Sequence, residues 1–82
     1  MHISIKKIMK EQELFEITKM TISDLMSTIC TIATLKYYGH FTILSFTNHY
    51  KGGFGTITER EDIEKLKGYD SLRELLIDMI IN

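Results

Sequence analysis

The chain has 82 residues, with ten Lys or Arg against eleven Asp or Glu and a formal net charge of −1. This length predicts a single domain over residues 1–82. The balanced charge argues against a nucleic-acid binder, which needs clustered Lys and Arg to neutralise phosphates. No apolar run exceeds four residues, whereas a membrane span needs roughly 20.

The cysteine and histidine content bounds the chemistry of the chain. Cys30 is the only cysteine, which excludes an internal disulfide and suits a reducing compartment. The first residues lack the apolar stretch and cleavage site of a secretory signal, so we expect a cytoplasmic protein. One cysteine and three dispersed histidines predict no metal site and no cofactor.

The apolar content favours self-association. Thirteen isoleucines and five methionines in so short a chain supply more apolar surface than we expect one small core to cover. With neither a disulfide nor a structural metal, oligomerisation is the remaining common way to stabilise a small domain. The sequence therefore predicts a homodimer.

Residues 1–20 give the most ambiguous pattern. Ile3 and Ile5 alternate with polar residues, as in a short edge strand, which we place at 2–8. A turn near 10–12 and a possible second strand at 13–19 would follow. A helix from about Lys6 to Phe15 is the alternative.

The next segment favours a helix. Residues 21–24 have the capping-box spacing, with Asp24 in place of the usual Glu. Apolar residues then recur at helical spacing: Ile22, Leu25, Met26, Ile29 and Ala33. The competing signal is the β-branched run 28–34, which favours a strand. We expect the helix to end near Tyr37, with Gly39 as its terminator, and Cys30 to pack as a small buried hydrophobe.

Residues 39–57 are typical of a β-hairpin. We place a two-residue turn at Asn48-His49, which pairs Thr47 with Tyr50 and Ile43 with Phe54. Alternation then assigns four side chains to the core face: Phe41, Ile43, Tyr50 and Phe54. The other face carries Thr42, Leu44, Phe46 and Lys51 opposite Gly53 and Gly55, whose missing side chains leave a shallow trough. A longer loop through Gly52-Gly53 is an alternative that would shift the register.

Two helices complete the chain. Residues 58–61 form a capping box that opens a short helix to Lys67, closed by Gly68. Residues 71–74 form a second box, followed by an amphipathic stripe that should cover one face of the sheet: Leu72, Leu75, Leu76, Met79 and Ile80. The predicted class is therefore a small α+β domain with uncertain N-terminal strands, a helix, a β-hairpin, a short helix and a C-terminal amphipathic helix.

The glycine run 51–56 invites a ligand-binding interpretation. It fails as a P-loop, because Lys51 precedes the glycines and a strand follows them. We expect these glycines to lie where another backbone packs closely. The alternative is a small-molecule or nucleotide site, in which backbone N–H groups and the Lys51 ammonium would meet an anion. Nucleic-acid binding comes third.

No catalytic constellation emerges from the sequence. His40 and His49 lie at opposite ends of one predicted strand, more than about 20 Å apart at strand spacing. An acid, a base and a nucleophile cannot be placed together, so we expect no catalytic residues and no enzyme activity.

The best candidate interaction surface is the glycine-flattened side of the hairpin. Tyr37 and Tyr38 precede it, and tyrosines are favoured at protein interfaces; partial burial in the core is an equal alternative for these two. The predicted function is a regulatory or adaptor role through contact with a second copy and with an unidentified protein. The predicted surface residues are Tyr37, Tyr38, Leu44, Phe46, Lys51, Gly53 and Gly55.

One family resemblance covers about half of the chain. It rests on Gly39-His40-Phe41-Thr42-Ile43-Leu44-Ser45-Phe46-Thr47 and Gly53-Phe54-Gly55-Thr56, preceded by a helix and followed by Gly68-Tyr69-Asp70-Ser71-Leu72. These segments resemble small uncharacterised cyanobacterial proteins. The resemblance implies a bacterial cytoplasmic setting and brings no activity, cofactor or site residue.

Overall fold

The computed structural model describes residues 16–82 and has the predicted α+β class and element order. In chain order it contains α1 (Ile22–Lys36), β1 (Phe41–Ser45), β2 (Tyr50–Phe54), α2 (Arg60–Lys65) and α3 (Leu72–Ile81). β1 and β2 form a two-stranded antiparallel sheet. The predicted strand at 2–8 lies outside the described residues.

Residues 16–19, the described part of the possible second strand at 13–19, form a turn and not a strand. The amide of Lys19 donates to the carbonyl oxygen of Glu16, and the amide of Met20 donates to that of Ile17. These short-range bonds form a turn where a strand would need a neighbouring strand as partner. Ile17 is buried against the core, so this turn fixes the entry to α1.

Helix α1 begins where its cap predicts. The Thr21 hydroxyl accepts a hydrogen bond from the amide of Asp24 at 3.1 Å. The β-branched residues that favoured a strand are accommodated, because three hydroxyls donate to the carbonyl four residues earlier: those of Thr28, Thr31 and Thr34. The helix ends as predicted, since Gly39, at φ 82°, donates its amide to the carbonyl of Ala33.

Cys30 departs from its predicted place. The buried residues of α1 are Leu25, Ile29 and Ala33, which share one face at four-residue spacing. Cys30 follows Ile29 directly and is therefore turned about 100° away from that face. Its side chain is exposed, so the prediction of core packing is wrong.

The hairpin register differs from the predicted one by two residues. Phe41 pairs with Phe54 and Ser45 with Tyr50, and the amide of Phe46 donates to the carbonyl of His49. Thr47 and Asn48 therefore form the tip. No residue of the tip has a positive φ angle, so neither of the tight turns on which the predicted register rested is formed. A shift of two residues leaves each side chain on its predicted face.

The core lies between the two longer helices and the inner face of the hairpin. Its fully buried large side chains are Leu25, Ile29, Leu75 and Leu76. The inner face contributes the four predicted residues, Phe41, Ile43, Tyr50 and Phe54. Helix α3 starts at its predicted cap, because the Ser71 hydroxyl accepts from the amide of Glu74 at 3.1 Å. Its stripe covers the inner face as expected.

Helix α2 is shorter than predicted, and its capping box is wrong. Glu59 is the N-cap residue and makes no side-chain capping bond. The helix ends at Lys65, because Leu66 is extended, with φ −71° and ψ 143°. The extended backbone carries the chain to Tyr69, which pairs with Tyr50.

Tyr69 pairs with one residue at the second edge of β2 and links it to α3. The backbones of Tyr50 and Tyr69 exchange two hydrogen bonds, each 2.8 Å long. The Tyr69 hydroxyl donates to the carboxylate of Asp78 in α3. Burial, with a further contribution from this hydrogen bond and the Asp78 charge, raises the pKa of Tyr69 from 10.0 to about 12.

The close packing at Gly52 gives a first prediction. Gly52→Ala should lower the free energy of unfolding by about 1–3 kcal/mol. The added Cβ would lie 2.5 Å from the Thr42 carbonyl oxygen and 3.2 Å from Leu75 Cδ2. Gly53→Ala is the matched control and should cost less, because its nearest neighbour is the flexible end of Ile57. Urea unfolding of both variants tests this, and equal losses would contradict it.

Tyr69 gives a prediction for alkaline pH. Its raised pKa means that the folded state keeps a proton that the unfolded chain releases above pH 10. This contribution to stability is complete below pH 10 and is lost as the pH rises toward 12. Urea midpoints between pH 9 and 12 should therefore fall more steeply for the wild type than for Tyr69→Phe. Tyr38→Phe, at a residue 95% exposed, should keep the wild-type slope, and a Tyr69→Phe slope equal to it would refute the prediction.

Candidate functional site

An open groove of about 580 Å³ lies between the outer face of the hairpin and helix α2. This volume lies within the range of roughly 300–1,000 Å³ that is usual for binding pockets. We call it the hairpin–α2 groove. Its lining residues are Leu44, Phe46, His49, Lys51, Thr58, Arg60, Ile63 and Glu64.

The hairpin wall follows from strand alternation. Leu44 and Lys51 are direct cross-strand partners, so their side chains emerge side by side on the outer face. Phe46 continues this face beyond the end of β1, and 40% of its surface is exposed. Its ring stacks on that of His49, with centroids 4.5 Å apart and planes 3° from parallel. The stack makes one wall of the groove flat and aromatic.

Lys51 holds the second wall in place. Its Nζ donates to the carbonyl oxygen of Ile63 in α2 at 3.2 Å. The same carbonyl accepts the amide of Leu66 at 3.1 Å, near the C-terminal end of the helix, where a cation is favourable. The Lys51 ammonium therefore joins the two walls of the groove.

The predicted trough over the glycines is partly filled by the chain itself. The Thr42 hydroxyl donates to the carbonyl of Gly55 and accepts the amide of Ile57, which draws residues 55–57 across the outer face. A Cβ on Gly53 would lie 3.2 Å from Ile57 Cδ1. Gly55 has a φ of 87°, in the region that favours glycine. The open space thus lies beside Leu44 and Lys51 and not above Gly53.

The two predicted tyrosines lie apart from the groove. The ring of Tyr37 stacks on Phe54, with centroids 4.7 Å apart, and Phe54 belongs to the inner face. Tyr38 is 95% exposed and does not line the groove. The structure therefore brings together Leu44, Phe46 and Lys51, and it separates Tyr37 and Tyr38 from them.

Sequence reasoning missed the α2 wall of the groove. Arg60, Ile63 and Glu64 line it, yet none was a candidate site residue. Ile63 is the only apolar residue of the α2 sequence REDIEK. A lone apolar residue in a charged helix indicates which side of the helix packs against the rest of the protein. Ile63 was therefore the one sequence signal that could have predicted this wall.

Three of the donors that an anion would meet near the glycine run are used within the chain. The amide of Gly55 donates to the carbonyl of His40 at 2.9 Å, and the amide of Ile57 donates to the Thr42 hydroxyl. Lys51 Nζ donates to Ile63. Gly52 lies where another backbone packs closely, as predicted, whereas a Cβ on Gly53 would meet only the Ile57 side chain and one on Gly55 would meet nothing within 4 Å.

The described residues offer neither a metal centre nor a membrane span, and the chain matches no known protein in three comparisons. Among residues 16–82, no three His, Cys, Asp or Glu side chains are grouped so that they could hold a metal ion. Within the same range, every helix is too short or too polar to cross a bilayer. Comparisons with protein-family models, with curated proteins and with solved structures find no match to the chain.

The Lys51 contact predicts how α2 is held. Lys51→Met keeps the apolar stem but removes the donor to Ile63, so α2 amides should exchange about tenfold faster, while those of α1 and α3 stay unchanged. Lys65→Met, which removes an exposed lysine of α2 itself, should change these rates less. Residue-resolved hydrogen exchange measures both variants. Unchanged α2 rates, or faster exchange throughout the molecule, would contradict this role for Lys51.

Proposed function

We propose that this protein is a non-enzymatic regulatory or adaptor protein of the bacterial cytoplasm that binds other proteins through the hairpin–α2 groove. The observation that carries the proposal is the groove itself, an open cleft of about 580 Å³ with a half-exposed aromatic wall. Aromatic side chains in such clefts are the usual anchors of protein interfaces.

The groove chemistry specifies the partner. Leu44, Phe46 and Ile63 supply apolar surface, while two cations, Lys51 and Arg60, outnumber the single carboxylate of Glu64. A complementary segment would present an aromatic or aliphatic side chain next to a carboxylate, because opposite charges at the rim favour the correct partner. We therefore propose that the groove binds an acidic segment with one apolar anchor residue.

The histidine contacts support a binding role over catalysis. His40 Nδ1 lies 3.0 Å from the Thr56 hydroxyl, and His49 Nδ1 lies 2.7 Å from the side-chain oxygen of Asn48. In the part of the chain that the structure describes, each histidine is thus hydrogen-bonded to a neutral group. Activation of a nucleophile would require a base oriented by a further group, commonly a carboxylate.

The proposal includes self-association. The buried apolar residues among 16–82 form a small set: Ile17, Leu25, Ile29, Ala33, Leu75, Leu76 and Met79. Large apolar side chains remain on the surface, including Leu35, which is 76% exposed. A small core often needs a second subunit to reach useful stability, and we propose a homodimer.

Peptide selection tests the groove. A random 12-residue peptide library, selected on the wild-type protein, should yield peptides with an apolar anchor beside Asp or Glu. Phe46→Glu should weaken their binding about tenfold or more, because it removes the aromatic wall and repels the peptide carboxylate. Leu35→Glu is the matched control, an exposed apolar residue replaced in the same way outside the groove, and it should bind within about twofold of the wild type.

A charge reversal distinguishes groove binding from a general loss of structure. Arg60→Glu changes an exposed residue of α2 from a cation to a carboxylate. The variant should therefore prefer peptides with basic residues beside the apolar anchor, where the wild type prefers acidic ones. Binding would be measured by fluorescence anisotropy, with circular dichroism to confirm folding. No enrichment of peptides, or peptides that bind all three variants equally, would refute the groove as the partner surface.

A further inference from the structure

The outer edge of β1 carries unpaired backbone groups. In an antiparallel ladder, hydrogen-bonded and non-hydrogen-bonded residue pairs alternate. The bonds from the Gly55 amide to His40 and from the Phe46 amide to His49 fix the alternation, so Phe41, Ile43 and Ser45 are in non-hydrogen-bonded pairs. Their N–H and C=O groups therefore point away from β2, toward the outer edge.

These six groups have no partner in the part of the chain that the structure describes. No hydrogen bond from Phe41, Ile43 or Ser45 to a residue outside the hairpin exists there. The other edge of the sheet differs, because Tyr69 pairs with Tyr50 on the far side of β2. Among the described residues, the β2 edge is thus bonded at Tyr50, whereas none of the three outward-facing residues of β1 is bonded.

The open edge lacks the features by which proteins protect exposed strands. Such edges usually carry charged side chains, a proline or a bulge. Residues 39–47 contain no Lys, Arg, Asp, Glu or Pro, and the ladder runs without a bulge from Phe41 to Ser45. Phe, Thr and Ile, which favour strands, occupy its first three positions.

We propose that β1 pairs with β1 of a second copy across this edge, antiparallel and centred on Ile43. This inference rests on the self-association part of the proposed function and assigns its surface. A two-fold axis at Ile43 places Phe41 opposite Ser45 of the second copy and Ile43 opposite itself. The three outward-facing residues of one strand then pair with the three of the other and form six backbone hydrogen bonds. A two-fold axis at any other residue would pair fewer of these three residues with each other. The two hairpins become one four-stranded sheet in the order β2, β1, β1, β2.

The side chains fit a second copy. On the inner face, the two Ile43 side chains become cross-strand neighbours, and on the outer face Thr42 lies opposite Leu44 of the second copy. No charged pair arises, so no like-charge repulsion opposes the register. A two-stranded sheet is marginal on its own, and four strands extend the apolar inner face beyond a single subunit.

Concentration-dependent hydrogen exchange of the wild-type protein tests the edge directly. The amides of Phe41, Ile43 and Ser45 should exchange about tenfold more slowly at a concentration where native mass spectrometry shows a dimer than at one where it shows a monomer. The amides of Thr42 and Leu44 already bond within the hairpin. They should exchange at rates that do not depend on concentration and so provide an internal control.

A substitution at Ser45 gives an independent test. Ser45→Pro removes an outward N–H group and leaves the ladder to β2 intact, as edge positions permit, so the variant should be monomeric. Ser45→Ala keeps the N–H group and should dimerise like the wild type.

The outcomes separate this inference from the proposed function. A dimer whose three edge amides exchange equally fast at both concentrations, or a folded Ser45→Pro variant that still dimerises, would overturn the edge pairing and leave self-association standing. A wild-type protein that is monomeric at all concentrations would overturn both the edge pairing and the homodimer. Partner binding by the groove is decided separately by the selected peptides.

Discussion

The close approach of the hairpin to helix α3 at Gly52 is the constraint on which the rest of the structure depends. A Cβ at this position would lie 2.5 Å from the Thr42 carbonyl oxygen and 3.2 Å from Leu75. Without a side chain there, β2 can lie directly on the apolar stripe of α3, and the core closes between α1, α3 and the inner face. The register of the hairpin is thereby tied to the packing of the core.

This register also determines which side chains are neighbours on the outer face of the hairpin. With Gly52 opposite Ile43, Lys51 is opposite Leu44, and both side chains point away from the core. Lys51 then reaches the carbonyl of Ile63, which sets α2 beside the hairpin. The groove is therefore a consequence of core packing, because the register set on the inner face determines which side chains lie opposite each other on the outer face.

The sequence predicted the elements whose signals are local. Helices α1 and α3 follow from caps at Thr21 and Ser71 and from apolar stripes, and the two hairpin faces follow from strand alternation. The register was wrong by two residues, because Asn48-His49 resembles a tight turn while the packing of Gly52 against α3 selects the pairing. That contact joins distant parts of the chain, so it cannot be predicted from the hairpin sequence.

The candidate site was predictable only on its strand side. Leu44, Phe46 and Lys51 follow from alternation, whereas the α2 wall depends on where a six-residue helix is placed in three dimensions. That placement comes from two contacts. Lys51 bonds to Ile63, and Tyr69 pairs with Tyr50, so that the helix ends before Leu66 and the chain continues in extended form to the hairpin. Tyr37 was misplaced relative to the groove because its stacking on Phe54 puts it on the inner side.

The shortness of α2 has a consequence for affinity. Helices below about 12–15 residues are marginal on their own, and α2 has six residues, no side-chain cap and no buried residue. One wall of the groove is therefore a local unit whose opening costs less free energy than global unfolding. Any ligand that needs this wall closed binds with an apparent affinity reduced by the open fraction. By linkage, the same ligand protects α2 from opening to an equal degree, which makes helix order and ligand occupancy two readouts of one equilibrium.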